Sequence, residues 1–160
     1  MDAIPGQIFN SLIELKAKGI PAVEIGYFMY KDYDLELYGN SLAASHAFLK
    51  DHPDAVKGFL RATMKGVRDM ARDPELAVKA AVTFEPLLNA DIERERLKIA
   101  LSCCILTQNV RENGFGDINR ERLQRIIKLI TAAYMLPREL SVDEIFNPAF
   151  LPPLKERMIN

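Results

Sequence analysis

Apolar and polar positions follow a helical period over most of this chain. The clearest case is residues 53–72, where apolar side chains recur at i, i+3, i+4 and i+7 for five turns behind Pro53 at the first helical position. Residues 6–19 predict another helix, which ends where lysines in the last turn are followed by Gly19 and Pro21. These two segments predict amphipathic helices that each bury one face.

Further helices are predicted from their N-caps. Asp73, Asn89 and Asn119 each stand directly before a helical pattern, and Pro74 follows the first of them at a favoured first helical position. Ser141 opens a capping-box pattern for a last short helix. From residue 46 onward the chain is therefore predicted to be almost entirely helical.

Two short strands are predicted nearer the N-terminus. Residues 23–30 are rich in β-branched and aromatic side chains, and four apolar side chains occupy alternate positions there, as on one face of a strand. A polar loop is predicted over residues 31–36. The second strand is predicted over residues 37–45, where most side chains are small. Residues 107–117 are polar and glycine-rich and are predicted as a loop. The fold class is thus α/β and helix-dominated, with few strands, and two strands alone make an unstable sheet.

Length and charge exclude several classes of protein. A compact chain of 18.1 kDa exposes about 8,000 Å² against about 26,000 Å² unfolded, so we expect about two-thirds of the surface to be buried in one core. Twenty-one basic and 22 acidic residues leave a net charge of −1, so the chain has no overall positive field that would attract nucleic acid or acidic membranes. The sign-alternating runs 93–96 and 120–122 are predicted as solvated helix faces. No transmembrane segment and no export signal are expected in this chain.

Candidate catalytic chemistry is sparse. Cys103 and Cys104 are adjacent, so on a helix they point about 100° apart, and we interpret them as small apolar residues on a packed helix rather than as a redox pair or metal site. His46 and His52 are six apart, which is not the spacing of two ligands on one helix face, and His52 is predicted as a partly exposed cap residue. We therefore predict no catalytic residue, no metal site and no cofactor.

Five segments, in order along the chain, resemble motifs of ABC-importer substrate-binding proteins. The most specific is residues 32–42, DYDLELYGNSL, which looks like the family signature DYGLDLYGNxL. The other four resemble two helix starts, a glycine-containing loop and the ending of the family, and are residues 52–63, 73–77, 108–116 and 143–152. The subclass that the chain resembles carries nitrate, alkanesulfonates, taurine and thiamine-pyrimidine precursors.

The resemblance implies the C-terminal portion of a two-lobed, type II periplasmic-binding-protein-like fold, whose lobes close on a ligand. Residues 1–30 would then be the end of the second lobe, as a helix plus a strand. Residues 31–36 would be the crossover between lobes, and residues 37–160 the helical C-terminal part of the first lobe. Because only this half of the family pattern is present, we expect the partner strands and most of the first-lobe pocket to lie upstream of Met1.

Five residues are candidates for ligand contact. Gly6 and Gln7 start the first predicted helix, where free N–H groups and the positive dipole end suit an anion. The alternative is that Pro5 and Gly6 form an ordinary helix entrance. Asp32 and Tyr33 lie in the implied crossover, where a ring stacks on a planar ligand and a carboxylate accepts hydrogen bonds, and a solvated loop is the alternative. Asn40 is either a hydrogen-bonding partner of the ligand or a turn residue.

The resemblance implies a non-enzymatic solute-binding component of an ABC transporter. It would capture a small polar or anionic solute by lobe closure and deliver it to a membrane permease, in the periplasm or at another extracytoplasmic membrane face. Asp34 departs from the usual glycine of the family, which either removes a position of positive φ or adds charge to the cleft.

Two alternatives remain open. One is an enzyme like the thiamine-pyrimidine synthase of the same superfamily, which needs a donor histidine and a cysteine-rich segment that this chain does not show. The other is a truncated remnant that acts by self-association, as a homo-oligomer, through the apolar faces of helices 53–72 and 120–135.

Overall fold

The computed structural model describes residues 3–159, and in that range the chain is built from helices. The nine α-helices of this range are α1 (Ile8–Ala17), α2 (His46–Asp51), α3 (Pro53–Arg72), α4 (Pro74–Phe84), α5 (Ala90–Ala100), α6 (Gln108–Asn113), α7 (Arg120–Ala133), α8 (Val142–Ile145) and α9 (Leu154–Arg157). A π-helical turn, Leu101–Ile105, extends α5, and 3₁₀ turns occupy Ala22–Glu24, Tyr30–Tyr33 and Pro148–Phe150. None of the helices described is both long and apolar enough to cross a membrane.

Helix α5 is at the centre of the packing. It contacts α1 and α4, and α3 in turn contacts α4, α2 and α9. An ion pair between Lys16 on α1 and Glu95 on α5 lies at the first of these contacts. Helix α7 packs on α8.

The core is small for a chain of this length. The solvent-accessible surface is 11930 Å², against about 8,000 Å² expected for a compact protein, so the fold buries roughly 55% of the unfolded surface instead of two-thirds. Within residues 3–159 the buried apolar side chains are Ile13, Met64, Val78, Leu101, Val110, Ile127, Val142 and Ile159. The sequence-based estimate of burial was too high because these helices pack in a few local contacts that leave many apolar side chains exposed.

The predicted helix starts are confirmed by their caps. Asp73 accepts a hydrogen bond from the N–H of Leu76 at 3.0 Å, Asn89 caps α5 and Asn119 caps α7. Pro53 and Pro74 each occupy the first turn of their helices. Because an N-cap satisfies an N–H two or three residues away, these starts depend on local sequence alone.

The predicted strands are absent from the part of the chain that the structure describes. In residues 23–30 the backbone is extended at Ile25 and Met29, but 3₁₀ turns stand at both ends and no strand lies alongside. Residues 37–45 are likewise without regular structure. An extended segment becomes a strand only when a neighbour pairs with its backbone, so composition alone overpredicted strand here. The helix-dominated fold class is confirmed.

The prediction of a loop over residues 107–117 is wrong, because those residues contain α6. The helix that begins after Asn89 continues beyond Ala100 as a π-helical turn. Thr107 caps α6 by accepting a hydrogen bond from the N–H of Val110 at 3.3 Å, which is the signal that the loop prediction overlooked.

Both cysteines lie in the π-helical turn and are exposed, so the prediction that they pack as apolar residues is also wrong. Desolvation of the thiol, and then the neighbouring Cys103, raise the pKa of Cys104, which lowers its thiolate fraction at neutral pH. Within residues 3–159 no three His, Cys, Asp or Glu side chains come close enough together to hold a metal ion.

Candidate functional site

Two of the five predicted ligand residues are in direct contact. Gln7 is the N-cap residue of α1, and its Nε2 donates a hydrogen bond to Oδ1 of Asn40 at 3.0 Å, across 33 residues of sequence. Its Oε1 accepts from Nδ2 of Asn10 at 3.4 Å. We call Gln7 and Asn40 the amide pair. It leaves the Asn40 side-chain NH2 group available as a donor, since no acceptor for it is found among the described residues.

Gly6 lies directly before the amide pair, at the entrance to α1. It is exposed, and a Cβ at this position would collide with the hydroxyl of Ser11. No side chain among residues 3–159 caps the first turn of α1, so within that range the N–H groups of Ile8 and Phe9 are left for solvent or a ligand. Gly6, Gln7 and Asn40 therefore form one small polar surface.

Asp32 and Tyr33 have no hydrogen bond to the amide pair within residues 3–159. They belong to the 3₁₀ turn Tyr30–Tyr33. Tyr33 is 61% exposed and its ring meets Phe28 edge-on, with 6.2 Å between ring centroids. Asp34 ends the turn in the left-handed region, at φ 60° and ψ 16°, so the position keeps a positive φ although glycine is absent.

The segment that carries Asn40, residues 36–40, is anchored on α7 by Arg122. The Nε of Arg122 donates to the backbone carbonyl of Glu36 at 2.7 Å, and a terminal nitrogen donates to the carbonyl of Leu37 at 2.9 Å. The guanidinium carbon also lies 4.2 Å from the centroid of the Tyr38 ring. One side chain thus contacts three consecutive residues of the segment.

Asn119 completes this anchor. Its backbone N–H donates to the Tyr38 hydroxyl at 2.8 Å, while its Oδ1 accepts from the N–H of Arg122 at 2.9 Å. Sequence reasoning missed Arg122 because it placed residues 120–122 on a solvated face. The acceptors of its side chain are backbone carbonyls 85 and 86 residues away, which no local pattern reveals.

The amide pair carries no net charge. The guanidinium of Arg96 donates to Oδ1 of Asn10 and to the carbonyl of Phe9. Arg96 is itself paired with Glu93 at 3.1 Å. Among residues 3–159 this surface therefore presents amide donors and acceptors rather than an unpaired charge, which suits hydrogen bonding to a neutral polar group.

Two open grooves lie elsewhere, and neither contains a predicted ligand residue. One of about 250 Å³ runs between α4 and α5. The other, of about 500 Å³, is lined by residues that include Lys98, Leu101 and Arg111. Arg94 borders both, and its hydrogen bonds to Glu75 hold the pKa of that carboxyl below its ordinary value.

The comparisons with known proteins agree with the motifs. A family model described as NMT1/THI5 like matches residues 1–77, a range that contains all five predicted ligand residues. The chain is 26% identical over 159 residues to the riboflavin-binding protein RibY of Chloroflexus aurantiacus, covering 94% of this chain and 43% of that protein. The resemblance to substrate-binding proteins that the sequence motifs indicated is confirmed.

A second relative is named for a different ligand. The formylaminopyrimidine-binding protein of Halalkalibacterium halodurans is 24% identical over 148 residues, which cover 91% of this chain and 44% of that protein. Both relatives are named as binding proteins. The chain spans less than half the length of either of them, and no solved structure matches it.

Proposed function

We propose that this chain is part of the solute-binding component of an ABC importer, which captures a small solute by lobe closure and delivers it to a membrane permease at an extracytoplasmic face, such as the periplasm. The main observation in support of this proposal is the amide pair, because it joins two predicted ligand residues inside the range that the family model matches. In this arrangement residues 1–30 end the second lobe, residues 31–36 cross between lobes, and residues 37–160 belong to the first lobe.

The solute is a neutral nitrogen heterocycle with a pyrimidine-type edge. The amide pair has no net charge and offers the free NH2 group of Asn40, which matches a ring carbonyl or ring nitrogen. Among the described residues of this surface, an oxyanion such as nitrate or a sulfonate would find only the first turn of α1 beside Gly6. The ligands for which the two relatives are named, riboflavin and formylaminopyrimidine, both contain a pyrimidine ring, which supports the same class.

Ligand titration tests this proposal. Riboflavin and an aminopyrimidine should raise the Tm of the protein in a thermal-shift assay, whereas nitrate and taurine should not. Gln7→Ala removes one neutral hydrogen-bonding group and should weaken the Kd of the heterocycle by about 2- to 12-fold.

Gln124→Ala is the matched control, since Gln124 is an exposed glutamine on α7 whose side chain donates to Glu139. It should leave the Kd unchanged. A panel in which no heterocycle raises Tm, or in which both glutamine variants bind equally well, contradicts the proposal.

Exposed apolar surface supports a second candidate function, self-association. Phe59 on α3 is 61% exposed and Tyr134 after α7 is 70% exposed, and the chain as a whole exposes roughly 4,000 Å² more than a compact protein of its mass. Static light scattering tests whether this chain self-associates. Self-association predicts a mass at least twice 18.1 kDa for this chain, and a clean monomer would remove this candidate.

A further inference from the structure

We propose that Arg122 is a positioning residue that sets the geometry of the amide pair, and this inference rests on the proposed function of that pair. Within residues 3–159, Arg122 makes no hydrogen bond to Gln7 or Asn40. It acts through the 36–40 segment, which carries Asn40 to its partner.

The 36–40 segment depends on tertiary contacts for its position. It has no regular secondary structure, and Leu37 and Tyr38 are 37% and 36% exposed, so neither a helix nor a core holds it. Its carbonyls at Glu36 and Leu37 take their hydrogen bonds from Arg122. Without those donors the two carbonyls return to solvent and the segment loses its main attachment to α7.

Only a guanidinium performs this task. The planar fork of arginine directs Nε and a terminal nitrogen at two successive carbonyls while its face stacks on the Tyr38 ring. A lysine ammonium is a point charge and does not reproduce both the fork and the stacking. Arg122 is itself fixed, because it stands in the first turn of α7 and its N–H is bonded to the cap residue Asn119.

The anchor lies close enough to Asn40 to set its position. Asn40 follows Tyr38 by two residues, so its Cα lies within about 7 Å of an anchored Cα. The Tyr38 hydroxyl, bonded to the N–H of Asn119, prevents the ring from leaving the guanidinium. The side-chain amide of Asn40 is thereby held where Nε2 of Gln7 donates to it.

Arg125 provides a matched control. It lies one turn further along α7 and pairs with the Glu36 carboxylate at 3.5 Å, with side chains that are 65% and 54% exposed. An exposed pair of this kind contributes little. Arg125→Met therefore removes the same charge from the same helix near the same segment, and leaves the anchor intact.

The test compares Arg122→Met, Arg122→Lys, Tyr38→Phe and Arg125→Met without ligand. The readout is the side-chain amide NMR signals of Gln7 and Asn40 and the NOE between them, with far-UV circular dichroism to check the fold. Arg122→Met and Arg122→Lys should abolish the NOE, Tyr38→Phe should weaken it, and Arg125→Met should preserve it. An intact NOE in folded Arg122→Met overturns the inference. If that variant does not fold, the milder Tyr38→Phe decides.

A double-mutant cycle in ligand binding separates positioning from general destabilisation. Arg122→Met should weaken the Kd of riboflavin or an aminopyrimidine by about the same factor as Asn40→Ala, about 2- to 12-fold, and should add nothing in an Asn40→Ala background. Additive losses contradict positioning. If the parent protein binds no heterocycle, the proposed function fails, and the NOE measurement still decides the role of Arg122.

Discussion

Replacing Met135 by glycine should stabilise this protein although it deletes an apolar side chain. Met135 follows α7 at φ 49°, in the left-handed region. Its N–H donates to the carbonyl of Ala132 at 3.2 Å, and the N–H of Leu136 donates to that of Thr131 at 2.9 Å, which are the two hydrogen bonds of a Schellman ending. Helix α1 ends in the same way, but there Gly19 takes the left-handed position at φ 84°.

The size of the effect follows from three terms. Left-handed backbone costs a non-glycine residue about 1–2 kcal/mol, whereas the extra unfolded-state entropy of glycine costs about 0.5–1 kcal/mol. The Met135 side chain is 88% exposed, so its removal forfeits little transfer free energy. The free energy of unfolding should rise by about 0.5–1 kcal/mol, which is a shift in Tm of about 1–4 °C for a chain of this size.

Thermal and urea denaturation followed by far-UV circular dichroism measure this change. Gly19→Ala should have the opposite sign, a net loss of about 0.5–1 kcal/mol, because backbone strain outweighs the entropy gained in the unfolded state and nothing lies within 4 Å of the added Cβ. Val23→Gly is the control, because Val23 is 96% exposed and its φ is not positive, so glycine brings only the entropic cost. If Met135→Gly lowers Tm as Val23→Gly does, the reasoning is refuted.

Three further changes test the core, a cap and a carboxylate. Ile13→Ala, at the 2%-exposed residue of α1, should cost about 2–4 kcal/mol in urea unfolding, and a loss below about 1 kcal/mol would contradict its place in the core. Asp73→Ala removes the acceptor of the Leu76 N–H and should lower the free energy of unfolding by about 1 kcal/mol. Asp73→Asn is the conservative control, because an asparagine still caps the helix and should keep most of that stability. The hydrogen bond from Arg138, and then those from the N-cap residue of α8, lower the pKa of Glu144 from 4.5 to about 2. Because the folded pKa is the lower one, this stabilisation is present above pH 4.5 and is lost as pH falls towards 2. The stability difference between the parent and Glu144→Gln should therefore shrink across that window, and a Glu144 carboxyl that titrates near 4.5 by NMR would argue against the pairing.

The helix starts were predictable because their determinants are local. Each of Asp73, Asn89 and Asn119 accepts from an N–H no more than three residues away, so the residue type and the pattern after it contain the whole interaction. The same applies to Ser141, whose N–H and hydroxyl both donate to the Glu144 carboxylate. Where a local signal was overlooked, at Thr107 before α6, the loop prediction was wrong.

The candidate site was predictable only in part. The motif at residues 32–42 and the helix entrance pointed to Gly6, Gln7 and Asn40, but not to the contact between the last two. The roles predicted for Asp32 and Tyr33 stay predictions, since their 3₁₀ turn is not tied to the amide pair within residues 3–159. The anchoring role of Arg122 was not predicted, because arginine side chains in runs of alternating charge are ordinarily solvated.

The sequence by itself determined where most of the helices begin, because a helix satisfies its backbone within four residues and its ends are marked by caps, prolines and glycines. It also determined the family resemblance, through motifs that span the chain. Only the tertiary structure decided that residues 23–30 and 37–45 pair with no strand among residues 3–159, and that Gln7 contacts Asn40. Only the structure placed Arg122 under Tyr38. The physical reason is distance along the chain, since a strand partner, an amide acceptor or a backbone carbonyl many residues away leaves no periodic trace in the segment that needs it.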